Sequence, residues 1–226
     1  HAKRLEQHYR DMQDIEFTIE RGKLWILQTR EVKRTARAAV KIAVDLVTEG
    51  LITREEAVRR VEPDHVIHLL LPRFDDREKN IAKKEGRLLA KGLNASPGAA
   101  TGIVVFDPGE AERRGRSKEP VILTRVETSP DDVHGMLWAK GILTTRGGVT
   151  SHASVVARGL GLPCVVGAES IRIDYGSESF TVGRHTVRKG DHISIDGTTG
   201  EVLMGRIPTL DADVTKIGYY RFARGK

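Results

Sequence analysis

Glycine is spread unevenly along this chain: Gly22, Gly50 and Gly86 are the only three before residue 92, and the other twenty lie from Gly92 onward. Glycine is sparse in helical runs and concentrates where the backbone turns tightly or approaches another group closely. The asymmetry therefore predicts two architectures joined near Lys91. Charge does not divide the same way, with 20 basic and 16 acidic residues up to residue 91 and 17 and 15 after it, which sum to the 37 and 31 behind the net +6. Neither half is a basic tail. The excess suits nucleic acid, nucleotide or phosphate and selects none of them. Arg113, Arg114, Arg116 and Lys118 have no aromatic residue between them and read as a solvated turn, so the expectation is no nucleic-acid partner.

No apolar run approaches the ~20 residues of a membrane span. The first ten residues are polar, without the apolar middle of a secretory signal. A single cysteine, Cys164, excludes an intramolecular disulfide. These features make a cytoplasmic protein with no membrane partner the expectation.

Residues 14–29 alternate, with Ile15, Phe17 and Ile19 on one parity, a turn at Arg21-Gly22 and then Leu24 to Leu27. This is a hairpin pattern. A three-residue loop of Glu20-Arg21-Gly22 would put Asp14 opposite Gln28, with Glu16 diagonal to it, and give Ile15, Phe17, Trp25 and Leu27 a shared buried face. A two-residue loop would send Glu16 and Gln28 to opposite faces, because a one-residue slip inverts every side chain. From Thr35 the spacing turns helical, with Ala36, Ala39, Val40, Ala43, Val44 and Val47 on one stripe and Gly50 past its end. Thr53 and Glu56 form a capping box for a second helix, residues 64–71 read as a third, and the charged run 75–91 as a solvated helix or linker.

Beyond residue 92 come short β-branched runs at 102–106, 120–125, 141–145, 164–168 and 192–196. A helix capped by Ser129, with Pro130 first and Asp131 and Asp132 in its opening turn, lies between the second and third runs. Another helix from Ser151 to Arg158 lies between the third and fourth. Two strand–helix–strand crossovers make a compact α/β unit with parallel strands. Ligands collect at the carboxyl ends of such strands, where helix starts offer unpaired N–H groups. The third run leads into Arg146-Gly147-Gly148-Val149-Thr150-Ser151-His152. The glycines let an oxyanion approach the backbone, and Arg146, Thr150 and Ser151 offer donors. His152 then has a task, since neutral imidazole is a nucleophile able to take a phosphoryl group. His8, His65, His68, His134, His185 and His192 have no metal-ligand spacing, and Cys164, opening a buried run, reads as a core residue.

The string GILTTRGGVTSHASVVARGLGLPCVVGA resembles the phosphohistidine signature of the phosphoenolpyruvate-utilising enzymes, in which the histidine of TSHA is phosphorylated. Upstream, ETSPDDVHGM and ASPGAATGIVVF resemble the pyruvate phosphate dikinase branch of that family, and DMQDIEFTIERGKLWILQTR resembles the end of its ATP-grasp domain. Val149 stands where methionine is common in the family.

The resemblance implies the end of an ATP-grasp domain at 1–34, a helical connecting subdomain at 35–91, a swivelling phosphohistidine β/β/α domain at 92–210, and a linker at 211–226. It implies a phosphotransferase in which His152 is the catalytic residue, carrying a phosphoryl group between ATP and phosphate at one site and pyruvate or phosphoenolpyruvate at another. Arg146, Gly147, Gly148, Thr150 and Ser151 would support the phosphoryl group; Asp14, Glu16, Gln28 and Arg30 would bind ATP, with Mg²⁺ on Glu16 and Gln28. In plant members the threonine matching Thr150 is a phosphorylation switch. The barrel that binds pyruvate, and most of the ATP-grasp domain, have no counterpart here, so the resemblance makes this chain the middle of a longer protein, dimeric through that barrel. Phosphoenolpyruvate synthase, or a phosphocarrier module without full turnover, is the alternative.

Overall fold

The computed structural model describes residues 1–210, apart from the side chains of residues 67 and 68. The expected linker at 211–226 lies outside them. The described chain falls into two compact units, His1–Leu70 and a second that begins at Leu71.

In the first unit, α1 (Ala2–Tyr9) leads into a hairpin of β1 (Gln13–Glu20) and β2 (Lys23–Glu31), followed by α2 (Ala36–Thr48), α3 (Arg54–Arg60) and α4 (Pro63–Leu70). Thr35 and Thr53 cap α2 and α3, accepting from the N–H groups of Ala38 and Glu56. Ala39, Val40, Ala43 and Leu46 form the buried side of α2. The hairpin differs from the expected register. Its loop is Arg21-Gly22 alone, both at positive φ, with Glu20 opposite Lys23. That two-residue turn matches the twist of paired strands. A bulge then restores what the short loop would have broken: Glu16 pairs with Gln28 but Phe17 with Ile26, leaving Leu27 as the extra residue. Asp14, Glu16, Gln28 and Arg30 thus share a face after all. Trp25 changes sides, opposite Thr18, with the Lys23 ammonium 4.0 Å from its ring centre. The expected buried face is not buried, since Phe17 and Leu27 are 57% and 66% exposed.

The second unit opens with β3 (Arg73–Phe74), α5 (Asp76–Lys84), β4 (Leu88–Lys91) and β5 (Leu93–Ser96). The sheet proper continues through β6 (Ala99–Val105), α6 (Pro108–Arg116), β7 (Val121–Arg125), a 3₁₀ turn (Pro130–Asp132), α7 (Val133–Met136), β8 (Gly141–Thr144), α8 (His152–Leu160) and β9 (Cys164–Val166). A meander of β10 (Arg172–Asp174), β11 (Ser179–Val182) and β12 (His185–Arg188) precedes β13 (His192–Asp196), β14 (Glu201–Met204) and β15 (Thr209–Leu210). Eight strands form the main sheet in the order β4-β14-β13-β6-β7-β8-β9-β5, and β6 to β9 run parallel within it.

Alternation along the parallel strands builds two cores. Val104, Ile122, Leu143 and Val165 face one way with Phe180 and Val187 of the meander. Val105, Leu123, Ile142 and Val166 face the other with Met136, Ala153 and Ala157 of the helices. Each strand is apolar on both faces because each face is covered. The result is three layers: meander, sheet, helices.

Three segments fold otherwise than expected. Arg113, Arg114 and Arg116 form the last turn of α6, a helix that Asp107 caps at its start and that Arg114–Glu110 and Arg116–Glu112 ion pairs lace, and Lys118 follows its end. The run 75–91 is not free of the sheet: α5 belongs to the second unit, and β4 is the edge strand of the main sheet beside β14. The meander has no forerunner in the β-branched pattern. α5 is fastened through Lys79, whose ammonium meets Asp196, Glu201 at 2.6 Å and Thr199 at 3.0 Å, while Lys83 takes the other Glu201 oxygen at 2.6 Å. Burial raises the Glu201 pKa, but hydrogen bonds from Lys79, Lys83 and Thr199 outweigh it and hold the carboxyl down at about 2. Its stabilisation is therefore complete above the ordinary 4.5 and is lost as pH falls from there toward about 2.

Replacing Lys79 by Met should lower the unfolding free energy of the second unit by about 3–5 kcal/mol, because buried Asp196 loses its cation and Glu201 keeps only Lys83. Urea unfolding measures it. A loss below about 1 kcal/mol would mean that the cluster behaves as a surface pair.

Candidate functional site

The segment between β8 and α8 is pinned by polar contacts at its base. Arg146 N–H donates to Val126 O at 2.9 Å, and the Thr144 hydroxyl donates to Arg146 O at 2.7 Å. Gly147 has φ +102°, a conformation that favours glycine, and a Cβ there would crowd Ser151 Cβ at 3.0 Å. Nothing lies within 4 Å of a Cβ built on Gly148, which leaves its backbone open to a ligand. Its carbonyl accepts from Ser151 N–H at 2.9 Å and the Ser154 hydroxyl at 2.8 Å.

His152 is the first residue of α8 and half-buried. Its Nδ1 lies 3.0 Å from the hydroxyl of Thr128, itself buried. No hydrogen bond engages Nε2 among the described residues. Thr128 stands just before the 3₁₀ turn, where Ser129 N–H donates to the Asp132 carboxylate at 2.9 Å, and Asp132 in turn lies 3.6 Å from the Arg125 guanidinium. The partner of His152 is thus held by the crossover on the neighbouring strand. Thr128 lies within ETSPDDVHGM, and residue type alone gives it no role there; the signal available was a hydroxyl at the carboxyl end of the strand beside β8.

The other expected residues divide. Ser151 turns its hydroxyl to Ser154 at 3.0 Å, away from a role as a free donor. Thr150 and Arg146 are exposed, and their side chains make no hydrogen bond among the described residues. Cys164 is buried, and burial pushes its thiol up to about 12, partly offset by the charge of Arg158, so it carries no nucleophile at neutral pH.

On the hairpin, Glu16 faces Gln28 and Asp14 faces Arg30 across the strands. Arg30 reaches both carboxylates, Asp14 at 2.9 Å and Glu16 at 3.0 Å. The hydrogen bond and charge of Asp14, then the charge of Glu16, raise the guanidinium above its ordinary value. This is an exposed patch of oxygen ligands around one cation. Among the described residues no group of three or more His, Cys, Asp or Glu could hold a metal by itself.

Residues 117–200 match the family described as the mobile domain of phosphoenolpyruvate-utilising enzymes, and residues 1–50 match the AMP/ATP-binding domain of pyruvate phosphate dikinase. The chain belongs to the phosphoenolpyruvate-utilising enzymes. Pyruvate, phosphate dikinase of Rhizobium meliloti is 57% identical over 93% of this chain, and that of Clostridium symbiosum 53% over 95%. The chloroplastic dikinase 1 of Arabidopsis thaliana is 52% identical over 89%. The chain spans about a quarter of the length of these relatives, 23%, 24% and 21% respectively. An Enzyme I solution structure is 27% identical over 46% of the chain and 36% of its own, with a TM-score of 0.30. No helix among the described residues of this phosphoenolpyruvate-utilising enzyme segment is long and apolar enough to cross a membrane.

Thr128→Val keeps the shape of the side chain and removes the hydroxyl at Nδ1. The fold should be unchanged by circular dichroism, while the imidazole ¹⁵N resonances of His152 move toward a mixture of tautomers. Unmoved resonances would show that Thr128 does not orient the ring.

Proposed function

We propose that this chain is the phosphoryl-carrying segment of a pyruvate, phosphate dikinase. The observation that carries the proposal is the environment of His152: Nδ1 against Thr128, Nε2 without a partner, at the start of a helix behind an open glycine loop. With its proton on Nδ1 and Thr128 accepting, the ring presents a lone pair on Nε2. That nitrogen attacks phosphorus of an ATP-derived donor; the P–N bond forms as the donor's P–O bond breaks, and the departing phosphate oxygen keeps the electron pair. In the second half-reaction the oxygen of pyruvate enolate attacks the same phosphorus, and Nε2 takes back the electron pair. Backbone N–H groups at the start of α8 favour the charge of the carried group. Arg146, Gly147, Gly148, Thr150 and Ser151 form its surroundings, Ser151 by bracing the loop through Ser154.

The hairpin face of Asp14, Glu16, Gln28 and Arg30 is the nucleotide end of this reading. Its oxygen donors fit Mg²⁺, which Glu16 and Gln28 would hold and which would neutralise nucleotide phosphate charge. Arg30 suits a phosphate, already aligned by the two carboxylates. One histidine serving two half-reactions requires the phosphohistidine domain expected at 92–210 to swivel together with residues 71–91, which share its compact unit, with residues 1–34 belonging to the ATP-grasp domain and the helical segment before Leu71 connecting them. ATP, phosphate and pyruvate or phosphoenolpyruvate are the implied substrates, the last pair on an adjoining barrel that also makes the homodimer.

His152→Asn in the full-length enzyme should abolish both half-reactions and keep the fold; exchange of label between phosphoenolpyruvate and pyruvate in that variant would refute the assignment. Glu16→Ala should slow the ATP half-reaction by about tenfold or more and spare phosphorylation of His152 by phosphoenolpyruvate. Equal loss of both would mean that Glu16 acts through folding. Thr150 is exposed two residues before His152, and a negative charge there would repel incoming phosphoryl oxygens. Thr150→Asp should slow phosphorylation of His152 by at least about fivefold, and Thr150→Val by less; equal rates in the two variants would remove Thr150 as a regulatory position.

A further inference from the structure

A polar cavity of about 480 Å³ opens beside the histidine loop at the carboxyl ends of β7 and β8. Its polar lining is Thr145, Arg146, Glu169 and Arg172, and Val126 and Ile171 close its apolar side. His152 is not part of the lining. Neither Arg146 nor Arg172 forms an ion pair or a side-chain hydrogen bond among the described residues. Thr145 is only 6% exposed as a residue, but its hydroxyl is not closed off from solvent; it makes no hydrogen bond among the described residues and lies on the cavity lining. Two guanidinium groups without a carboxylate partner therefore share one cavity with a hydroxyl that is free to donate. Together they form a donor set waiting for acceptors.

The walls are fixed by the fold. Arg172 opens β10, where it pairs with Thr181 of β11. The meander is tied to the strand ends by Val126 N–H, which donates to the Tyr175 hydroxyl at 3.0 Å, and by Arg125, 5.3 Å from the centre of the Tyr175 ring. Arg146 is placed by its backbone hydrogen bond to Val126, which also lines the cavity.

We propose that this cavity binds a phosphate-type oxyanion, held by Arg146, Arg172 and the Thr145 hydroxyl. A carboxylate is satisfied by one arginine fork through its two oxygens. Two guanidinium groups and a hydroxyl match a tetrahedral oxyanion with more acceptor positions. Glu169 on the same lining opposes any anion and leaves the lining at a net single positive charge, so occupancy is reversible. Because Arg146 directly precedes Gly147-Gly148, an anion held here takes hold of the base of the loop that carries Thr150 and His152. The site therefore provides a way for free phosphate to influence that loop without touching the histidine. It goes beyond the phosphohistidine reading and does not depend on it.

The test is a calorimetric titration of the 226-residue chain with inorganic phosphate at low ionic strength. Saturable one-to-one binding is expected. It should weaken by at least about tenfold in Arg172→Gln and about threefold or more in Thr145→Val, strengthen in Glu169→Gln, and stay unchanged in His152→Ala. Arg172→Lys, which keeps the charge and loses the fork, should fall between the parent and Arg172→Gln and guards against a variant that fails to fold. No saturable binding would overturn the proposal. Binding lost in His152→Ala but kept in Arg172→Gln would place the anion at the histidine loop and overturn it equally. Pyruvate bound as tightly as phosphate would refute the tetrahedral specificity. None of these results bears on whether His152 is phosphorylated, so the two readings fail separately.

Discussion

Burial of the parallel strands on both faces is the constraint from which the second unit follows. Val104, Ile122, Leu143 and Val165 must meet the meander while their neighbours in sequence meet the helices. Polar groups are thereby driven to the strand ends. At the carboxyl ends the chain must leave the sheet, and there Thr128, Thr145, Arg146 and His152 collect. The 3.0 Å contact between Thr128 and His152 ties one crossover to the next, so the ring orientation is set by the sheet and not by the loop that carries it.

Much of this was legible because it is local. Ser129 with Asp132 and Gly161 at the end of α8 are caps whose partners lie within a few residues and form as their spacing predicts, whereas the Thr53 box forms only by half, the Glu56 carboxylate turning to Arg10 and Arg60. The five β-branched runs became β6, β7, β8, β9 and β13 for the same reason: burial on both faces selects them residue by residue. What could not be read depends on partners far away in sequence. Lys79 seemed part of a solvated charged run, and only its meeting with Asp196 and Glu201 makes it buried. The meander strands are only three or four residues long, too short for their alternation to stand out from the turns around them.

The hairpin shows how a correct grouping can rest on the wrong geometry. A three-residue loop was expected to set Asp14, Glu16, Gln28 and Arg30 on one face. The chain instead uses a two-residue turn and recovers the register by a bulge at Leu27. Turn and bulge compensate, and neither announces itself in the alternation of a short strand. Candidate residues on the histidine loop were read from residue type alone, which is why Ser151 looked like a free donor when its hydroxyl is taken by Ser154, and why Thr128, remote in sequence, was passed over.

The central claim is that Nε2 of His152 carries the phosphoryl group, with Nδ1 reserved for Thr128. It is tested most directly by ¹⁵N and ³¹P NMR of the chain after phosphorylation by phosphoenolpyruvate and a separately supplied phosphoenolpyruvate-binding domain of a dikinase relative. The account predicts an acid-labile phosphoramidate at Nε2 of His152, with Nδ1 still protonated. A phosphate ester on Thr150 or Ser151, or phosphorus bound to Nδ1, would contradict it.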